Sequence, residues 1–188
     1  GGGLDRYDRE NDRFIHCRND AFDPQSLSNN NVRSLYEDRG GVLWVGTLGG
    51  GLNKPNPTNQ KFALYRQEPN NPNSLNDRSI WAILEDSEGT LWVGTDKGGL
   101  NRFDRESGQW THYLHDPDNA QSLSDNTVRS IYEDRRGALW VGTANGLDRF
   151  DRASGRFIHY RHDPTDPQSL SHNHIGPIYE DGSGTLWV

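Results

Sequence analysis

Residues 122–143 read SLSDNTVRSIYEDRRGALWVGT, and the string returns with small changes at 26–47, 74–95 and 169–188. Its last part is the most constant. Leu43-Trp44-Val45-Gly46-Thr47 is followed by Leu91-Trp92-Val93-Gly94-Thr95, by Leu139-Trp140-Val141-Gly142-Thr143 and by Leu186-Trp187-Val188, in steps of 48, 48 and 47 residues. A second marker, Gly-Leu followed by Asn or Asp and then Arg or Lys, recurs around Leu4, Leu52, Leu100 and Leu147 with the same steps. A fixed period of this size is the sequence signature of a repeat architecture.

Each unit reads as four short strands. In the third repeat the first spans 128–134; Arg135-Arg136-Gly137 turns the chain into a second at 139–143, a third covers 147–151 and, after Ala153-Ser154-Gly155, a fourth covers 157–160. Glycine supplies the positive φ that such tight turns require. Polar connections rich in Pro and Asn, such as residues 163–173, join one unit to the next. Strands one and two are apolar at nearly consecutive places, Ile131-Tyr132 and Leu139-Trp140-Val141, so both faces need cover.

A four-stranded meander cannot supply that cover alone, whereas radial stacking can. The expected fold is therefore an all-β propeller of four-stranded antiparallel blades, each 47–48 residues long. The 188 residues form a single propeller segment of four blade-equivalents: strands three and four in 1–17, whole blades in 26–65, 74–113 and 122–160, and strands one and two in 169–188. We read this as an arc of a larger ring. The alternatives are a closed four-bladed ring, in which residues 1–17 complete the blade begun by 175–188, and a flat solenoid.

Composition agrees with many short strands and thin cores: 31% of residues are hydrophobic, yet six are Trp, with 21 Gly and 9 Pro to make turns. A net charge of −7 gives no reason to expect nucleic acid or anionic lipid as a partner. No apolar run approaches the roughly 20 residues of a membrane helix. The single cysteine, Cys17, excludes an internal disulfide and stands where other units have Tyr65, Tyr113 and Tyr160. The absence of Met and the opening Gly1-Gly2-Gly3 suggest a piece of something longer.

The string Ser-Leu-Ser-x-Asn-x-Val-Arg-Ser-Ile-Tyr-Glu-Asp-x-x-Gly-x-Leu-Trp-Val-Gly-Thr resembles the two-component regulator propeller repeat, over essentially the whole chain. The resemblance implies a non-enzymatic, extracytoplasmic sensor, periplasmic or extracellular, whose remaining blades and signalling module would be its partners. It also implies a small-molecule ligand, with oligosaccharides common in the family, and a role in biasing conformation or homodimerisation. No Trp-Asp dipeptide ends a strand, so the WD pattern fails. Quinoprotein blades share the Val-Gly-Thr strand and turns such as Asp104-Arg105-Glu106-Ser107-Gly108, so an enzyme propeller, a dehydrogenase or a lyase, is the rival reading. A structural interaction scaffold is the third.

Candidate sites are weighed by their phase in the repeat. Trp44, Trp92, Trp140 and Trp187 recur in one apolar strand, which argues for packing between blades. Asn30, Asn126 and Asn173 are expected to cap the turn into strand one, and the Glu-Asp pairs at 37–38, 85–86, 133–134 and 180–181 to serve hairpin turns rather than catalysis. His16, His112 and His159 share an outer-strand position and read as surface residues. His172 and His174 have metal-compatible spacing but no third ligand, so we expect neither metal nor cofactor.

Function should sit where the repeat varies, at the entry of the innermost strand. Arg33, Trp81, Arg129 and Gly176 share one position there, and Asn31, Ser79, Thr127 and His174 another. Asp96, Lys97 and Asn145 follow strand two. We take Asn31, Arg33, Trp81, Asp96, Lys97, Arg129, Asn145 and His174 as a ligand site at the channel mouth, with Trp81 stacking on a sugar face and the polar groups pairing hydroxyls. Arg33 and Arg129 either bind ligand or pair with neighbouring acids.

Overall fold

The computed structural model describes residues 1–56, 58–59 and 61–188. Among these there are strands and no helix. The chain enters through β1 (Leu4–Asp8) and β2 (Arg13–Cys17), a two-stranded sheet. Three four-stranded antiparallel blades follow: β3 (Val32–Glu37), β4 (Leu43–Thr47), β5 (Gly51–Pro55) and β6 (Phe62–Tyr65); β7 (Ile80–Glu85), β8 (Leu91–Thr95), β9 (Leu100–Asp104) and β10 (Gln109–Tyr113); β11 (Val128–Glu133), β12 (Leu139–Thr143), β13 (Gly146–Asp151) and β14 (Arg156–Tyr160). A hairpin of β15 (Tyr179–Glu180) and β16 (Leu186–Trp187) ends it. The two half-blades do not pair with each other, so the propeller blades form an open arc.

Each first hairpin is fastened through its Glu-Asp pair. The indole Nε1 of Trp44, Trp92, Trp140 and Trp187 donates to Asp38, Asp86, Asp134 and Asp181 at 2.7–2.8 Å. The other oxygen of each Asp takes the backbone N–H four residues on, from Val42, Thr90, Ala138 or Thr185. The Glu reaches backwards instead: Glu85, Glu133 and Glu180 accept the N–H of Arg39, Ser87 and Arg135 in the preceding blade. Arg105 then bridges Asp38 and Glu85, and Arg152 bridges Asp86 and Glu133, so each arginine spans two blades.

Apolar layers fill the space between these clasps. Trp44 packs with Ile83, Leu91, Phe103 and Trp110 of the next blade, and Trp92 with Leu139, Phe150 and Phe157 of the one after. Close approach depends on the strand-two glycine: a Cβ on Gly46 would lie 2.7 Å from Ile80 Cγ2, and one on Gly94 2.6 Å from Val128 Cγ1. The four tryptophans are not equivalent, however. Trp44 and Trp92 are 2% and 1% exposed, Trp140 is half-buried, and Trp187, with no blade against it, is 60% exposed. At the other end a cavity of about 540 Å³ is lined by Leu35, Leu43, Pro55 and Phe62, one repeat before the residues that enclose Trp44.

Two expectations need correction. His16 is exposed as expected, but the other two outer-strand histidines are fasteners: His112 Nδ1 and Nε2 face Asn101 Oδ1 and the Pro72 carbonyl at 2.8 and 3.1 Å, and His159 holds buried Asp148 and the Ala120 carbonyl at 2.6 and 2.9 Å. They tie strand four to strand three and to the connection before the blade. Asn30, Asn126 and Asn173 also act on the connection, accepting the N–H of Asn19, His115 and His162 at its start. The turn into strand one is instead closed by the preceding residue: Asn29, Asp77, Asp125 and His172 each accept an N–H from two residues on.

Candidate functional site

All three complete first strands carry one irregularity. Val32 pairs with Thr47 and Ser34 with Gly46, which leaves Arg33 as the extra residue of a β-bulge. By the same count Trp81 is the extra residue between Ile80 and Ala82, and Arg129 between Val128 and Ser130. A bulge bends its strand and re-aims the side chain of the unpaired residue. First strands form the inner edge of each sheet, and β7 contacts both β3 and β11.

The re-aimed side chains therefore meet across blades. The guanidinium carbon of Arg33 lies 5.1 Å from the centroid of the Trp81 ring, and that of Arg129 lies 5.3 Å from it. Both distances fall within cation–π range. The ring that the sequence suggests as a stacking platform for a sugar thus carries two arginines, one from each neighbouring blade. Its Nε1 donates to Asp96 Oδ1 at 3.2 Å, which pins the indole edge to the loop after β8.

Acid pairing does not account for the arginines. Among the described residues neither Arg33 nor Arg129 forms an ion pair with a carboxylate. Asp96 takes the Trp81 indole N–H, and the acids that open the first strands serve backbone turns: Asp77 accepts the N–H of Ser79 and of Lys97, and Asp125 that of Thr127. The Arg129 Nε is buried without a hydrogen-bond partner. Such a group calls for a physical reason, an unsatisfied buried donor being costly. Among the described residues, Ser34 Oγ and Ser130 Oγ are also buried without a partner, beside Gly46 and Gly142 where blades meet.

The remaining candidates do not join this group. Lys97, Asn145 and His174 are exposed and Asn31 is half-buried. What the structure shows of them is backbone fastening: the Asn31 carbonyl takes the Leu48 N–H, Asn145 donates its N–H to Thr143 Oγ1, and His174 donates its own to His172 Nδ1. No cluster of three metal-ligating side chains occurs among the described residues. The bulge is what the sequence reading missed. Its signal was the common position of Arg33, Trp81 and Arg129, but counting alternation cannot reveal one unpaired residue.

The family model for the two component regulator propeller matches residues 26–49, 74–97 and 122–145. No curated protein matches the chain. Among solved structures, the extracellular domain of a B. thetaiotaomicron protein assigned to a hybrid two component system is 26% identical with a TM-score of 0.80, over 99% of this chain and 23% of that one. A second extracellular domain so assigned, from the same organism, is 22% identical with a TM-score of 0.57, over 99% of this chain and 36% of that one. A catalytically inactive virginiamycin B lyase from Staphylococcus aureus shares the fold at 20% identity and a TM-score of 0.52, over 75% of this chain and 45% of that one. The chain thus spans less than a quarter of the first of these relatives.

Proposed function

Because three segments of this chain match the two component regulator propeller model, we propose that it is the ligand-sensing part of an extracytoplasmic propeller, periplasmic or extracellular, and not an enzyme. Ligand bound at the channel mouth would bias the conformation or dimerisation of an attached signalling module. One observation carries the reading: three successive blades use a bulge to bring Arg33, Trp81 and Arg129 together, and those residues occupy a position at which the repeat varies. A purely structural device would recur in phase, as the Trp-Asp clasp does in all four units. An oligosaccharide suits the polar mouth. The rival reading, an enzyme propeller, draws only on shared fold.

The test is a panel of neutral and acidic oligosaccharides screened by thermal shift and tryptophan fluorescence. We expect at least one to raise the melting temperature of the wild-type chain, and Arg33→Gln or Arg129→Gln to abolish that rise while leaving the unliganded melt unchanged. A ligand whose effect is indifferent to both substitutions would remove the site from this mouth.

A further inference from the structure

Resting on the sensor reading of this same mouth, we infer that the group recognised there is an oxyanion, a carboxylate or a sulfate carried by the ligand, held by the in-plane N–H groups of Arg33 and Arg129. The donor inventory leads to it. An arginine offers five N–H donors and no acceptor, and an indole one donor. Here the indole donor is already given to Asp96. A neutral sugar hydroxyl is best met by groups that both donate and accept, such as an Asn amide or a Ser hydroxyl. Apart from Asp96, whose Oδ1 takes the indole N–H, this group of side chains offers only donors, and the partner for a guanidinium fork is an acceptor-only, charged, planar or tetrahedral oxyanion.

The cation–π contact is compatible with donors that remain available. An aromatic ring attracts a guanidinium through its charge and takes up none of its N–H groups as a carboxylate would. The guanidinium carbons of Arg33 and Arg129 both lie within that range of Trp81. Arg105 and Arg152 show what structural arginines do in this chain, each reaching carboxylates on two blades at 2.7–3.7 Å. Arg33 and Arg129 reach none, and one of them keeps a buried, unpartnered Nε. In a protein of net charge −7 two unneutralised guanidinium groups gathered over one ring make a local exception to the field.

The experiment compares ligands that differ only in charge. Trigalacturonate is set against its methyl ester, and sulfated dextran oligomers against plain dextran oligomers of equal length, by calorimetry on the wild-type chain, on Arg33→Gln/Arg129→Gln and on Arg9→Gln as a surface-charge control. We expect a charged probe to bind about tenfold or more tightly than its neutral counterpart, the preference to vanish in the double variant and to persist in Arg9→Gln. The arm that shows it tells carboxylate from sulfate. Equal binding of charged and neutral probes overturns the oxyanion and leaves the sensor reading intact; a preference that survives the double variant overturns the assignment to these arginines. Silence from all four probes at millimolar concentration overturns the oxyanion, and the panel described above then decides the sensor reading separately.

Discussion

Trp92 and Asp86 are joined at 2.7 Å, the indole Nε1 donating to a carboxylate that is itself 1% exposed. The bond closes a hairpin, and because Arg152 of the next blade reaches the same oxygen at 2.7 Å, it also fastens one blade to another. Removing the carboxylate strands a buried indole donor and takes from Arg152 one of its partners. We expect Asp86→Ala to cost about 3 kcal/mol in urea unfolding, the sum expected of a stranded donor and a broken charge-assisted bond. Asp181→Ala, which loses the same bond to the exposed Trp187, should move the urea midpoint much less. Equal midpoint shifts would show that burial is not what gives the bond its value.

The tryptophans themselves should follow their exposure. Trp92→Ala truncates a core side chain and should cost roughly 3–5 kcal/mol. Trp140, half-buried, should cost distinctly less, and Trp187→Ala should be nearly silent. Thermal melts of the three variants test the order; a large loss at Trp187 would mean that its open face is covered in solution.

Acid should loosen the same clasps. Burial pushes the Asp38, Asp86 and Asp134 carboxyls upward, but the bonds from Trp44, Trp92 and Trp140, the hairpin N–H groups and the nearby arginines outweigh it and hold all three below the usual carboxylate value. A carboxyl depressed in the folded state binds fewer protons there than when unfolded, so its stabilisation is present above about pH 4 and lost as pH falls through the folded-state values. The melting temperature should hold from neutral pH to about pH 5 and drop steeply below about pH 4, with a shallower drop in Asp86→Asn. Calorimetric scans across that range give the slopes, and identical slopes would exclude Asp86 as a contributor.

Glycine at strand two is a spacing device. Gly94→Ala drives a methyl into Val128 and should cost about 1–3 kcal/mol as overpacking. Gly182→Ala, with nothing within 4 Å of its added carbon, should leave the urea midpoint unchanged. A neutral Gly94→Ala would mean that neighbouring blades slide apart freely.

His159→Ala should cost about 1–2 kcal/mol, because it deprives the fully buried Asp148 of a partner and frees the Ala120 carbonyl. His16, whose ring and Asp5 partner are both largely exposed, should show a smaller midpoint shift when removed. Urea titrations of the two variants compare them directly.

What could be read from the residues was whatever recurs in phase. The Leu-Trp-Val-Gly-Thr strand announced the blade, because its apolar positions and glycine answer to the same neighbour in each unit. Partnerships between side chains far apart in a unit were less legible: nothing in the spacing of Asp86 and Trp92 says that a carboxylate will take an indole N–H, nor that His112 will reach Asn101 rather than water. The contact among Arg33, Trp81 and Arg129 was half legible. Their shared position marked them, whereas their meeting across blades depends on an unpaired residue in each strand, which alternation of apolar and polar residues does not show.

The bulge separates two kinds of evolutionary freedom. The residue before it points into the layer between blades, where Ile80 and Val128 are wholly buried and Ile175 nearly so, and it changes only within the branched aliphatics. The residue in the bulge belongs to no rung of the ladder, and both Arg and Trp stand there in one chain. Along the arc the bulge gives each complete blade one inner-strand residue that is not part of the ladder, a place where a side chain can change with little consequence for the pairing of the strands.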